Sequence, residues 1–123
     1  MTIPAFPLQW PLSRPRLHWT SRKQGRFTCK YRTGRTQAIS IGDAVIRLQN
    51  ELDRIGAHHP VISSNLELRL DGLPRSGQRE PSDPGVAVYF MIDGKQTCLP
   101  CDTYSEVAQN IAAVAARIQA QSA

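Results

Sequence analysis

Eight basic side chains, Arg14, Arg16, Arg22, Lys23, Arg26, Lys30, Arg32 and Arg35, fall within the first forty residues, and no Asp or Glu falls among them. Five of the eight aromatics share that stretch: Phe6, Trp10, Trp19, Phe27 and Tyr31. Cations neutralise phosphates and displace their counterions, and aromatic faces stack on bases, so this interleaving is the composition of a nucleic-acid-binding segment. A solvated basic arm or a protein-binding surface leaves the same trace. The remaining residues hold seven Lys/Arg against ten Asp/Glu, so the net charge of +5 divides into +8 in front and −3 behind. Nucleic-acid binding is expected from Arg14, Arg16, Trp19, Arg22, Lys23, Arg26, Lys30, Arg32 and Arg35.

Three other constellations could carry chemistry. Cys98-Leu-Pro-Cys101 has the spacing of a redox or metal pair and reads as the junction of a strand with a helix, where a thioredoxin-type site lies. The rest of that pattern is missing, and zinc would need Cys29 with His58 or His59. Ordinary reduced thiols are the simpler expectation, and three cysteines suit a reducing compartment. His58 and His59 precede Pro60 and read as a solvated turn. The segment 71–84 sets Asp71, Glu80 and Asp83 beside Arg69, Arg75 and Arg79, with Gln78 between them. Converging carboxylates hold Mg²⁺ for phosphodiester cleavage. Equal numbers of arginines satisfy them internally and make the loop a recognition surface instead. The expected partner-binding loop therefore comprises Arg69, Asp71, Arg75, Gln78, Arg79, Glu80 and Asp83, with no metal, no cofactor and no catalytic residue. No glycine-rich phosphate loop is present, and nothing in the sequence places a serine–histidine triad.

These residues need elements to position them. A chain of 123 residues with 41% hydrophobic content predicts one domain, here with a basic, proline-rich segment over 1–38. Residues 6–10 and 26–31 read as weak strands. Ser40 with Asp43 caps a helix in which Ile41, Ala44, Val45, Leu48, Leu52 and Ile55 recur at helical spacing, until Gly56 stops it. Arg47, Asn50, Asp53 and Arg54 take its wet face. Alternation of Leu66, Leu68 and Leu70 with Glu67 and Arg69 predicts a strand over 61–70. A Pro/Gly-rich loop follows over 71–85. Residues 86–92 are apolar on both faces, which predicts a central strand. Asp93-Gly94 is a hairpin signal, and 95–99 is the returning strand. Thr103 with Glu106 suggests a capping box for a last helix striped by Val107, Ile111, Val114 and Ile118. The fold class is α+β: an antiparallel sheet of three to five strands with two helices on one face, in the core order α-β-β-β-α. No apolar run is long enough to span a membrane, residues 1–7 lack the features of a signal peptide, and the cytoplasm is the expected location.

The run over 61–90, centred on Asn65-Leu-Glu-Leu-Arg-Leu-Asp-Gly-Leu-Pro-Arg-Ser-Gly-Gln-Arg-Glu80, resembles the N-terminal region of a group of bacterial and prophage J-domain-containing (DnaJ-like) proteins. Phe6-Pro-Leu-Gln-Trp-Pro11 and Cys101-Asp-Thr-Tyr-Ser-Glu-Val-Ala-Gln-Asn-Ile111 are similar to it too. The sequence has no counterpart of that family's J domain or its His-Pro-Asp motif, since Val61 follows His59-Pro60; stimulation of an Hsp70 is therefore not implied. The resemblance implies an origin in a mobile element, phage or plasmid. The order helix–three strands–helix is also similar to a double-stranded-RNA-binding domain, though Thr103-Tyr-Ser-Glu-Val-Ala-Gln109 lacks that family's basic cluster. Leu8-Gln-Trp-Pro-Leu-Ser-Arg-Pro-Arg16 is similar to the opening of RusA-type Holliday-junction resolvases, without the aspartates around a helix that those enzymes use. The leading expectation is a non-enzymatic accessory protein that binds nucleic acid or a nucleoprotein complex through its basic front. The alternatives are an inhibitor of a host defence complex, of the anti-CRISPR kind, and a metal-dependent nuclease built on Asp71, Glu80 and Asp83.

Overall fold

Ser40 opens the helical part of the molecule. Its Oγ accepts the amide of Asp43 at 3.1 Å, which satisfies one of the free donors at the start of α1 (Ile41–Arg54). Ala44, Val45, Leu48 and Leu52 are buried along one stripe of that helix. The computed structural model describes residues 3–30 and 34–121, and its architecture is α+β: two helices with two small antiparallel sheets.

The larger sheet has the order β3 (His58–Ser63), β4 (Val86–Ile92), β5 (Lys95–Cys101), all antiparallel. Asp93 and Gly94 join β4 to β5 with φ of +50° and +75°, the left-handed pair that a two-residue hairpin turn requires. α2 (Val107–Gln121) packs on α1 and on β4 and β5. Val86, Val88 and Phe90 of β4 meet Ile62, Leu99, Leu48, Leu52, Ile111 and Val114 in the core.

The alternate residues of β4, Ala87 and Tyr89, are buried as well, because a second cover lies over the other face. The chain before residue 10 runs beside β3. Ser64 donates its amide to the Ala5 carbonyl at 3.0 Å, the Ser63 hydroxyl donates to Pro4, and the Gln9 amide donates back to that hydroxyl at 2.7 Å. The Tyr89 hydroxyl reaches the Gln9 carbonyl at 2.6 Å. The apolar run of β4 thus records two covers, one of helices and one of irregular chain.

The smaller sheet pairs β1 (Thr28–Lys30) with β2 (Thr36–Ala38). Its base is tied to α2 by Gln109, whose Oε1 accepts the Phe27 amide at 2.8 Å and whose Nε2 donates to the Phe27 carbonyl at 3.0 Å. Gly25 is needed for this approach, since a Cβ there would lie 2.1 Å from the Gln109 side chain. Arg47 adds a bond from its guanidinium to the Thr28 carbonyl.

Several sequence expectations are corrected. The strand expected over 61–70 ends at Ser63. Beyond it the chain folds back on itself, with Arg69 and Leu73 bonded at 2.7 Å and Arg75 and Glu67 at 2.9 Å, so the leucines do not share a face. Leu66 is buried, whereas Leu70 is fully exposed. His58, His59 and Pro60 are not a turn but the irregular first half of β3, with His59 at φ +53°. Residues 6–10 form side-chain and single backbone bonds but no strand, and the expected strand over 26–31 shortens to Thr28–Lys30, with Tyr31 outside the described residues. The Thr103 capping box is absent. α2 begins at Val107, and Glu80 from the long loop takes the Val107 amide at 2.5 Å. A carboxylate brought from elsewhere in the chain does the capping that adjacent residues were expected to do.

Candidate nucleic-acid interface

The basic front separates into cations used inside the molecule and cations left in water. Arg16 is used. Its Nη1 and Nη2 donate to Asp83 at 3.1 and 2.5 Å, its Nε donates to Asp102 at 2.9 Å, and its guanidinium lies 4.4 Å from the Trp10 ring centroid. Asp102 is buried and also accepts the Leu17 amide at 2.8 Å. Hydrogen bonding to Asp83 raises the pKa of Arg16 despite partial burial. Burial pushes the Asp83 carboxyl up, but the bonds from Arg16 and the Gly85 amide, with the charges of Arg16 and Arg22, outweigh it and hold the carboxyl below its ordinary value. This latch joins the N-terminal segment to the long loop and to the end of β5.

Arg22 is half-buried and poorly satisfied. Its Nη2 stands 3.5 Å from Asp83, its Nη1 stands 3.5 Å from the Ser82 carbonyl, and its Nε is buried with no partner. Arg14, Lys23, Arg26, Lys30 and Arg35 are exposed, and none pairs with a carboxylate among the described residues. Arg32 lies outside the described residues. Lys23 is held by its backbone to the approach of α2: its amide donates to the Thr103 carbonyl at 2.8 Å and its carbonyl accepts the Ser105 amide at 3.1 Å. Lys30 ends β1 and Arg35 immediately precedes β2, and Arg26 lies 5.2 Å from the Phe27 ring centroid.

The aromatics sort the same way. Phe27 packs edge-on against Tyr104 with ring centroids 5.9 Å apart, and Trp10 donates its Nε1 to the Arg14 carbonyl. Trp19, in contrast, is 70% exposed. It begins a single 3-10 turn, Trp19–Ser21, capped by His18, whose Nδ1 accepts the Thr20 amide.

The loop residues named from the sequence do not converge. Arg69 pairs with Asp71, whose carboxyl is held down chiefly by the Leu73 amide. Arg75 pairs with Glu67 at 2.5 Å, and Gln78 clamps the Glu67 backbone with bonds of 2.8 and 3.0 Å. Arg79 is exposed. Glu80 caps α2, and burial raises its pKa. Asp83 belongs to the Arg16 latch. Among the described residues, no group of three His, Cys, Asp or Glu side chains stands close enough to hold a metal ion.

The cysteine pair is likewise split. Cys98 and Cys101 are three apart on one strand, and successive side chains of a strand alternate, so they face opposite sides. Cys98 pairs with Tyr89 on the face covered by the N-terminal segment, whereas Cys101 contacts Asn110 Oδ1 at 3.4 Å on the helix face. Burial pushes both thiols up, and burial, with Cys98 beside it, pushes Tyr89 up to about 12. The expected strand–helix junction is also absent, since α2 starts six residues after β5 ends.

Sequence reasoning missed the polar residues that hold this face together. Asn110 is fully buried; its Nδ2 donates to the carbonyls of Pro84 at 2.9 Å and Tyr104 at 3.0 Å, and its Oδ1 accepts the Tyr104 amide. The available signal was Gln109-Asn110 interrupting the apolar stripe between Val107 and Ile111. Buried amides in such a stripe are retained for hydrogen bonding. Set against known proteins, the chain matches no family model, no curated protein and no solved structure.

Proposed function

We propose that this protein binds nucleic acid through its N-terminal third, as a non-enzymatic accessory protein of a mobile element. The observation that carries this is the sorting of the cations. Arg16 is consumed by two carboxylates, while Arg14, Lys23, Arg26, Lys30 and Arg35 are exposed with no carboxylate partner among the described residues. Exposed cations that self-repel cost stability and are of use to a polyanion. A two-stranded ribbon, with Lys30 at the end of one strand and Arg35 just before the other, is also a shape that a major groove admits.

The test is a salt titration of binding, starting near 50 mM, the low end of the range where counterion release is read. Affinity for DNA or RNA should fall linearly on a double-logarithmic plot. Substituting Lys23, Arg26, Lys30 or Arg35 by Ala should each reduce the slope by about 0.7 to 0.9. Lys95→Ala, at the far β4–β5 hairpin, should leave it unchanged. No mobility shift with any nucleic acid at low salt would end the proposal.

A second function, inhibition of a host defence complex, is favoured by one feature: the loop beyond β3 is pinned by Arg69–Asp71, Arg75–Glu67 and Gln78, yet presents Leu70 fully exposed. A rigid loop with an apolar tip suits a protein partner. Leu70→Ser would abolish that binding and leave salt-dependent nucleic-acid binding intact.

A further inference from the structure

We infer that the groove beside Trp19 is a subsite for one unpaired nucleotide, which makes the protein selective for single-stranded nucleic acid; this rests on the function proposed above and narrows it. Two independent observations meet in this groove. One is the indole itself, 70% exposed at the start of a short turn whose Thr20 amide donates to His18, so that an aromatic face is held out in water. The other is Arg22, whose best acceptors lie at 3.5 Å and whose Nε has none. Arg16, only six positions earlier, is saturated at 2.5 to 3.1 Å. A guanidinium so loosely held retains the capacity to bond a phosphate oxygen, which fits its fork geometry better than a distant carboxylate.

Trp19, Leu17, Arg22, Ser82 and Ser105 line the groove, whose volume is about 850 Å³. That falls within the roughly 300–1,000 Å³ of clefts that take a small ligand. The lining combines one stacking face, one loosely held cation and two hydroxyls with the Asp83 carboxylate, whose charge Arg16 already neutralises. The first three are what a single nucleotide needs: a surface for its base, a charge for its phosphate and hydrogen bonds for its sugar. Bases inside a duplex have both faces covered by their neighbours. Only an unpaired base can give its face to an indole. The exposed Lys23 next along the chain continues the positive path for the adjacent phosphate.

The test measures anisotropy of a labelled oligothymidylate about 16 nucleotides long, the upper end of the site size of one small single-strand-binding domain, and of the same strand paired with its complement. Single strand should bind more tightly than duplex. Trp19→Ala should lower single-strand affinity by roughly 5- to 150-fold, the worth of one aromatic–base stack, and leave duplex affinity unchanged. Trp19→Phe should restore most of the loss, and indole fluorescence should be quenched as the single strand binds. The exposure of Trp19 means that both variants should melt like the parent, which a thermal scan checks. Equal affinity for the two forms, or single-strand affinity indifferent to Trp19→Ala, overturns the subsite. If Lys30→Ala and Arg35→Ala still weaken binding in that case, the broader nucleic-acid function stands; if no nucleic acid binds at all, both fall.

Discussion

The two faces of the central sheet are covered by different physics. On one, Val86, Val88 and Phe90 press into the side chains of two helices, and the contacts are almost wholly apolar. On the other, irregular chain crosses Ala87 and Tyr89 on scattered hydrogen bonds, accepted by the carbonyls of Pro4, Ala5 and Gln9 and donated by the amides of Leu8 and Gln9, and is fastened at its far end by Arg16. Apolar burial is non-directional and carries no charge for pH to titrate or for salt to screen. Hydrogen bonds and ion pairs are directional, and the exposed ones respond to both. The helix face should therefore set global stability, and the N-terminal face should be releasable on its own.

The largest expected effect tests the helix face. Phe90 is 3% exposed in the middle of β4. Phe90→Ala should cost about 3–5 kcal/mol, read as a fall in the urea midpoint with unchanged slope. A loss well below that would mean that the helices can close over the cavity.

A smaller effect tests the opposite face. Arg16→Ala removes the bonds to Asp83 and Asp102 and leaves the buried Asp102 with only the Leu17 amide among its named partners. The expected cost is about 2 kcal/mol, moderated because the Arg16 side chain is 37% exposed. Hydrogen exchange should show the amides of Leu8, Gln9 and Leu17 losing protection while those of β4 keep theirs. Equal loss throughout would show that the two faces unfold as one.

The difference between the faces also explains how much the sequence disclosed. The helix face was legible because period and punctuation are local: the stripe of α1, its Ser40 cap, the Asp93-Gly94 hairpin and the unbroken apolar run of β4 each lie within a few adjacent residues. The N-terminal face depends on partners far apart in sequence. Arg16 finds Asp83 and Asp102 at separations of 67 and 86 residues, and Glu80 caps a helix 27 residues away. No periodicity records such pairs. Leu66, Leu68 and Leu70 misled for a related reason: alternation is a condition for a strand to be half-buried, but it does not supply a neighbouring strand, and here the chain turned back on itself. For the candidate interface, the basic front was legible as composition. Which cations were spent internally was not, because that is decided by the long-range carboxylates.

The smallest effect sharpens the comparison by removing one charge and little else. Asp83→Asn keeps an Oδ1 that can accept the Gly85 amide and one Arg16 bond, but it takes away the negative charge between Arg16 and Arg22. The Asp83 carboxyl is held below its ordinary value near 3.8, so the folded state favours its ionised form. That contribution is fully present above the unfolded pKa and is lost as pH falls through the lower, folded one. Glu80 has the opposite sign: burial raises its pKa, so its protonation favours the folded state as pH falls, and the total acid response mixes the two. Comparing parent and Asp83→Asn at each pH isolates the first. At neutral pH the variant should be less stable by under about 1 kcal/mol, because the pair is partly exposed and screened. The gap should shrink with added salt and close as pH falls through the lowered folded pKa of Asp83, below which the parent carboxyl is neutral too. Thermal melts from about pH 7 down to about pH 2 measure it. A gap that persists at the acid end would show that Asp83 holds the N-terminal segment by shape and hydrogen bonding, not by charge, and would remove pH and salt as levers on that face.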